Sequence, residues 1–190
     1  MSKGLNGIDI EAMQGYVDAV KADANMAAVK FVAKSTWKGG TRCDATVTEF
    51  YANGQPASQP GRSFTVSMDE PPPLGGSDQH PNPAEMLAAA LCGCLTAGIA
   101  ANAALFGTEI DSLEVETEID WNMLGLLGLD RDVSCGAKAI HYTVRLKGKG
   151  DREHLLRSKE TLDRKSAVLN SFLLPIPVSS ETVVEGLQTE

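Results

Sequence analysis

The stretch NPAEMLAAALCGCLTAGIAANAALFG, residues 82–107, decides the fold of this chain. Between Met86 and Phe106 it contains no charged residue, so it lacks the polar stripe that marks the solvent side of a surface helix. A run of about 20 such residues could span a bilayer. Its small Ala and Gly side chains and its lack of basic flanks favour instead a central helix that is buried on all sides, with no membrane partner.

The sequence also specifies where this helix begins. Asn82 is a favoured N-cap, Pro83 suits the first helical position, and Glu85 stands where a capping box places its acid. Gly107 predicts the end of the helix.

The residues on either side alternate in hydrophobicity as strands do, or repeat with helical spacing. Strands and helices do not follow each other regularly, so the predicted fold class is α+β rather than a parallel doubly wound sheet. We expect one domain over residues 1–190, with 1–27 as a helical extension and 28–190 as the core. The predicted elements are helices at 9–23 and 151–168, strands at 28–38, 42–51, 62–68, 110–121 and 137–146, an ordered loop at 69–83, a short apolar turn or helix at 122–130, and an edge strand at 175–184.

Composition and charge exclude several classes of partner. The chain of 190 residues has a formal net charge of −8, which argues against binding to nucleic acid or to an anionic membrane surface. The first residues show no apolar signal segment, and the four cysteines do not follow a secreted disulfide spacing. We therefore expect a cytoplasmic protein with reduced thiols.

Cys92 and Cys94 lie two residues apart on the predicted helix, so their side chains point about 200° apart. They are badly placed to share a metal ion or to close a disulfide. None of the three histidines stands at ligand spacing from a cysteine. We expect no metal and no cofactor, and burial as a small apolar residue is the simplest interpretation of Cys92.

The helix and its flanks resemble the OsmC/Ohr family of osmotically inducible and organic hydroperoxide resistance proteins. The family pattern is Asn-Pro, then Glu or Gln, an Ala-rich helix, and a Cys about twelve residues after the Asn; here Asn82-Pro83 leads to Cys94. The resemblance covers roughly residues 30–180, and its pieces occur in the family's order: STWKGGTR (35–42), FTVSMDEPPPLGG (64–76), the helix itself, EIDWNMLGLLGLDRDVSCGAKAIHYTV (118–144) and SAVLNSFLLPIPV (166–178).

This resemblance implies an OsmC-like fold, in which mixed antiparallel sheets wrap a buried central helix in an intertwined homodimer. It implies a peroxidase in which Cys94 attacks a small hydrophobic organic hydroperoxide, in an oxidative stress response. The thiolate is the reactive form of cysteine, and the dipole of a helix fades within its first turn. A cation must therefore lie beside Cys94, and the resemblance assigns that role to Arg42, held by Glu85.

The sequence departs from the family pattern at three positions. Ala84 occupies the position of the family's Glu, which leaves Glu85 one step later. When the Gly-Gly turn is aligned with that of the family, Arg42 lies one residue away from the position of the family's Arg. A shift of one residue turns a strand side chain to the other face. Ser166 takes the position of the resolving cysteine, and a hydroxyl cannot form a disulfide. We therefore expect an external thiol reductant.

Two other functions remain open from the sequence. The same dimer could be a non-catalytic binding or redox-sensing module with a small-molecule pocket at the dimer interface, as the loss of the resolving cysteine suggests. A hydrolase would need a histidine beside Cys94, and His80 in the preceding loop is the candidate nearest in sequence.

Overall fold

The computed structural model describes residues 4–184, so both predicted domain ends, 1 and 190, lie outside the described residues. Single-turn 3₁₀ helices occur at Leu5–Gly7, Ala24–Ala27 and Pro72–Leu74. The helices and strands are α1 (Ile10–Ala22), β1 (Val29–Gly39), β2 (Arg42–Ala52), β3 (Gln55–Pro56), β4 (Phe64–Met68), α2 (Pro83–Leu105), β5 (Glu109–Asp120), α3 (Met123–Leu126), β6 (Ala139–Lys149), α4 (Arg152–Asp163) and α5 (Ala167–Leu173).

The predicted start of α2 is confirmed in both halves of its capping box. The Asn82 side chain accepts a hydrogen bond from the Glu85 N–H at 2.8 Å, and the Glu85 carboxylate accepts one from the Asn82 N–H at 2.8 Å. The helix ends at Leu105, and Gly107 follows with a φ of +71°, a conformation that suits glycine.

The strands form two antiparallel sheets, which confirms the α+β class. β2 is the centre of the first sheet, with β1 on one edge and β3 and β4 on the other. β5 and β6 form the second sheet as a long two-stranded ribbon. The two-residue strand β3 falls in a stretch for which the sequence predicted no element.

The core of the chain lies between α2, the β5–β6 ribbon and the last two helices. Leu91, Leu95 and Ile99, spaced four residues apart, are fully buried there and pack against Leu162 and Leu169. Within residues 4–184, nothing covers the opposite side of α2, where Gly93 and Ala97 are exposed. The expected burial of α2 on all sides is therefore met on one side only within a single chain.

The first sheet has one apolar and one polar face. Residues paired across the strands share a face. One face, which we call the apolar sheet face, carries Trp37, Cys43, Met68, Ala45, Val66, Val47 and Phe64. The other face, which we call the polar sheet face, carries Thr36, Asp44, Ser67, Lys34, Thr46 and Thr65.

The apolar sheet face has no cover from the chain itself. Trp37 is 73% exposed and Phe64 is 57% exposed. Among residues 4–184, no member of this sheet belongs to the core cluster around α2.

The predicted helix over 151–168 is wrong, because two helices occupy this region. The break lies at 164–166, where the Ser166 N–H bonds to the Leu162 carbonyl at 2.7 Å. Ser166 then caps α5 by accepting from the Leu169 N–H at 3.2 Å. A serine that bonds to nearby backbone groups favours such a helix boundary over a helix interior.

The predicted edge strand at 175–184 is also wrong. These residues pair with no strand within the part of the chain that the structure describes, and Val178 is 87% exposed. Pro175 and Pro177 lack the N–H groups that a sheet ladder needs.

Gly98 sets the distance between α2 and α4. A Cβ atom at this position would run into the side chain of Leu162, which is buried. At Gly15, in α1, an added Cβ would meet nothing within 4 Å.

We therefore predict that Gly98→Val lowers the free energy of unfolding by about 1–3 kcal/mol, since overpacking forces the helices apart. The matched variant Gly15→Val should change it by less than about 0.5 kcal/mol. Urea unfolding followed by circular dichroism measures both variants. Equal effects would contradict the close approach of α2 and α4.

Candidate functional site

The two cysteines of α2 contact neighbours on different sides of the helix, as their spacing predicted. The Cys92 thiol donates a hydrogen bond to the Thr117 hydroxyl on β5, with sulfur and oxygen 3.2 Å apart. The Cys94 sulfur lies 3.2 Å from the Ser166 hydroxyl oxygen at the start of α5. The structure thus brings Ser166 into contact with Cys94.

Ser166 is held firmly in this position. It is 1% exposed, and its side chain caps α5. Its own carbonyl accepts a hydrogen bond from the Asn170 side chain at 2.8 Å. Cys94 as a residue is half-buried.

Within one chain, Glu85 does not reach Cys94. It lies nine residues earlier on α2, about 13.5 Å along the helix axis at 1.5 Å per residue. Its carboxylate is engaged in the capping box. Within the described residues, the hydrogen-bond partner of Cys94 is Ser166 and not the alternative candidate His80.

Arg42 lies at the first position of β2, where it is exposed. It precedes Cys43, which belongs to the apolar sheet face, so alternation assigns Arg42 to the polar sheet face. There its charge acts on Asp44. The Ser67 hydroxyl is the main cause that holds the pKa of Asp44 below its usual value, and Lys38 and Arg42 add to it. The roles of Arg42 and Glu85 at Cys94 stay predictions.

An apolar cavity of 420 Å³ opens beside the first turns of α2. Leu87 lines it and lies two turns before Cys94, so both residues are on one side of the helix, about 10.5 Å apart along its axis. Ala84 also lines the cavity, and its small side chain leaves room there. The other lining residues include Leu74, Trp121, Met123 and Leu126.

Asp69 organises the loop before α2, a role that the sequence analysis missed. It is 3% exposed and accepts hydrogen bonds from the hydroxyls of Thr41 and Ser77, both at 2.6 Å. The N–H groups of Ser77 and Glu70 donate to it as well. Asp69 therefore ties the β1–β2 turn to the loop that leads into α2. The only signal in the sequence is an Asp at the start of a Pro- and Gly-rich loop, which is typical of a turn-forming side chain.

These hydrogen bonds, above all those from Ser77 and then Thr41, hold the pKa of Asp69 well below its usual value of 3.8. They favour the charged form, so their stabilisation is present in full above pH 3.8 and is lost as the pH falls below it.

We predict that Asp69→Asn lowers the melting temperature at neutral pH, because an amide cannot accept all four hydrogen bonds. The difference from the unmodified protein should shrink as the pH falls below 3.8. Asp78→Asn, an exposed change in the same loop, is the control and should have little effect. Melting curves over a pH series measure this; a difference that stays constant down to the lowest pH would contradict the account.

Among residues 4–184, no group of three His, Cys, Asp or Glu side chains could hold a metal ion. By length and composition alone, α2 could cross a membrane, and core helices of soluble proteins share these properties.

Comparisons with known proteins agree with this architecture. Residues 76–181 match the model of the OsmC-like protein family, which is more than half of the chain. An OsmC-like protein from Mycoplasma pneumoniae has a similar structure, with a TM-score of 0.58, 12% identity, and coverage of 76% of this chain and 87% of that one. The organic hydroperoxide resistance protein OsmC from Legionella pneumophila gives a TM-score of 0.50 at 13% identity, with 75% and 88% covered.

At such identities the structural likeness shows the fold alone. A comparison with curated protein sequences finds no match. The match to the family model, together with the fold, decides the assignment: the chain belongs to the OsmC-like protein family.

Proposed function

We propose that the protein is a thiol-dependent peroxidase that reduces organic hydroperoxides through Cys94 and uses an external thiol as reductant. The observation that carries this proposal is the position of Cys94. Cys94 is half-buried on α2, and its sulfur contacts the hydroxyl of Ser166, the residue that the resemblance places where the family has its resolving cysteine.

The proposed reaction has three steps. The Cys94 thiolate attacks the outer peroxide oxygen, the O–O bond breaks, and the alcohol leaves with a proton, which gives a sulfenic acid. An external thiol then attacks the oxidised sulfur, which forms a mixed disulfide and releases water. A second external thiol releases the Cys94 thiol and carries away the disulfide.

The cavity beside the first turns of α2 favours a substrate with an apolar body. It is lined mostly by apolar side chains, and its lining residue Leu87 is on the same side of α2 as Cys94, two turns away. Hydrogen peroxide has no apolar surface to bury there, whereas an alkyl or aryl hydroperoxide does.

We also propose that the working form is an intertwined homodimer. The chain leaves two apolar surfaces uncovered: the apolar sheet face, and the side of α2 that carries Gly93 and Ala97. Contiguous exposed apolar surfaces mark association sites, and a second copy could cover both at once.

The alternative is a non-catalytic binding or redox-sensing module of the same shape. The specific observation in its favour is that Glu85 is engaged in the capping box, while Arg42 acts on Asp44. In that case Cys94 would be oxidised without turnover, or a ligand would bind without oxidation.

The proposal requires that the reacting sulfur is that of Cys94. Cumene hydroperoxide followed by a sulfenic-acid trap should label the reduced protein and the matched control Cys92→Ser, and should not label Cys94→Ser. With a dithiol present, the first two should consume peroxide repeatedly. Labelling without turnover would favour the sensing module, and absence of label at Cys94 would contradict the peroxidase.

The second prediction concerns the dimer and uses two neighbouring residues on opposite faces of β2. Ala45→Glu places a charge on the apolar sheet face and should convert the dimer to monomers, because a buried charge without a partner is costly. Thr46→Glu places the same charge on the polar sheet face, opposite Lys34, and should leave the dimer intact. Light scattering after size exclusion measures the mass. A monomeric unmodified protein would refute the dimer.

A further inference from the structure

We infer that Ser166 is a positioning residue that donates its hydroxyl proton to the Cys94 sulfur and keeps oxidised Cys94 as a sulfenic acid. This inference rests on the proposed function, because it assigns a role to the residue that contacts the proposed nucleophile. The starting point is the 3.2 Å separation between the two side-chain atoms, a distance that by itself leaves the donor undecided.

The cap of α5 favours the hydroxyl as the donor. The Ser166 oxygen accepts a hydrogen bond from the Leu169 N–H, so its proton does not point toward that group. A serine hydroxyl has one proton and two acceptor lone pairs, so its oxygen has room to accept from the Cys94 thiol as well. In that arrangement the proton of the buried hydroxyl would have no acceptor, since Cys94 is its other hydrogen-bond partner within the described residues. Donation to the sulfur satisfies both groups.

The hydroxyl is already in place before any substrate arrives. The Ser166 N–H and carbonyl both take part in hydrogen bonds, to Leu162 and from Asn170. Leu162 in turn packs against Gly98 on α2, the same helix that carries Cys94. Ser166 and Cys94 both belong to the same packed core. Their side chains therefore need little further ordering when a substrate binds.

The same contact decides what happens after oxidation. An oxygen added to the Cys94 sulfur can accept the Ser166 proton, but a hydroxyl cannot attack the sulfenic acid to form a disulfide. The nearest cysteine in sequence, Cys92, is turned toward Thr117 on the other side of α2. Because neither Ser166 nor Cys92 supplies a thiol to the oxidised sulfur, we expect Cys94 to persist as a sulfenic acid until an external thiol reacts with it.

The first test replaces the hydroxyl by a thiol. Ser166→Cys should close an internal disulfide with Cys94 after one equivalent of cumene hydroperoxide, with loss of one water per sulfenic acid. The trap label on Cys94 should then disappear in the variant and persist in the unmodified protein. Mass spectrometry of peptides identifies the bond. A disulfide between Cys94 and any other cysteine of the unmodified protein would overturn the inference.

A small oxidising disulfide separates this inference from the proposed function. It should close the same bond in Ser166→Cys by thiol–disulfide exchange, without any peroxide. If only the disulfide reagent closes the bond, the contact between residue 166 and Cys94 is supported and the proposed peroxidase activity is contradicted. If neither reagent closes it, the contact itself is overturned.

The second test measures the hydrogen bond through the alkylation rate of Cys94 by iodoacetamide at neutral pH, with Cys92 in the same molecule as reference. A hydrogen bond to a charged atom is stronger than one between neutral groups, so its loss in Ser166→Ala should slow alkylation about threefold.

The variant Ser166→Thr keeps the hydroxyl and should restore the rate. A merely structural role predicts the opposite sign, because a weakened cap would expose Cys94 and speed alkylation. An unchanged or faster rate in Ser166→Ala would overturn the inference.

Discussion

The absence of a polar face on α2 is the constraint on which the rest of the structure depends. A helix without charges over Met86–Phe106 must be packed on every side, and a chain of this size covers only one side with its own ribbon and helices. The apolar sheet face also has apolar side chains without a packing partner, since Trp37 and Phe64 are largely exposed in the described chain. Cys94 lies on this helix, so the packing of α2 also determines the surroundings of the sulfur.

The contact between Cys94 and Ser166 arises from two local features of the sequence. Gly98 lets α4 approach α2 closely, with Leu162 against the glycine. The helical structure is then interrupted after α4, and Ser166 caps the next helix, α5. The Ser166 side chain contacts the Cys94 sulfur at this position. One side chain thus serves the fold as a cap and contacts the proposed nucleophile. A continuous helix through this region would have no such cap.

The sequence allowed more of the fold than of the site to be predicted. The start of α2 was predictable because Asn82, Pro83 and Glu85 are local signals of a helix N-terminus, and the long strands followed from their alternation. The break at Ser166 was missed because helical spacing of apolar residues continues across it, and only tertiary contacts reveal the cap. The stretch 175–184 was predicted as an edge strand because its prolines lack ladder donors, and no neighbouring strand pairs with it in the described chain.

The site was less predictable because it depends on which residues meet in space. The opposite directions of Cys92 and Cys94 followed from helix geometry, whereas the closeness of Arg42 to Asp44 and the role of Asp69 depend on strand faces and loop contacts. A crystal structure of the protein after brief exposure to an organic hydroperoxide tests the whole account most directly. We predict a single oxygen on the sulfur of Cys94 within hydrogen-bond distance of the Ser166 hydroxyl. A reduced Cys94 turned away from Ser166, with oxidation at another cysteine, would contradict it.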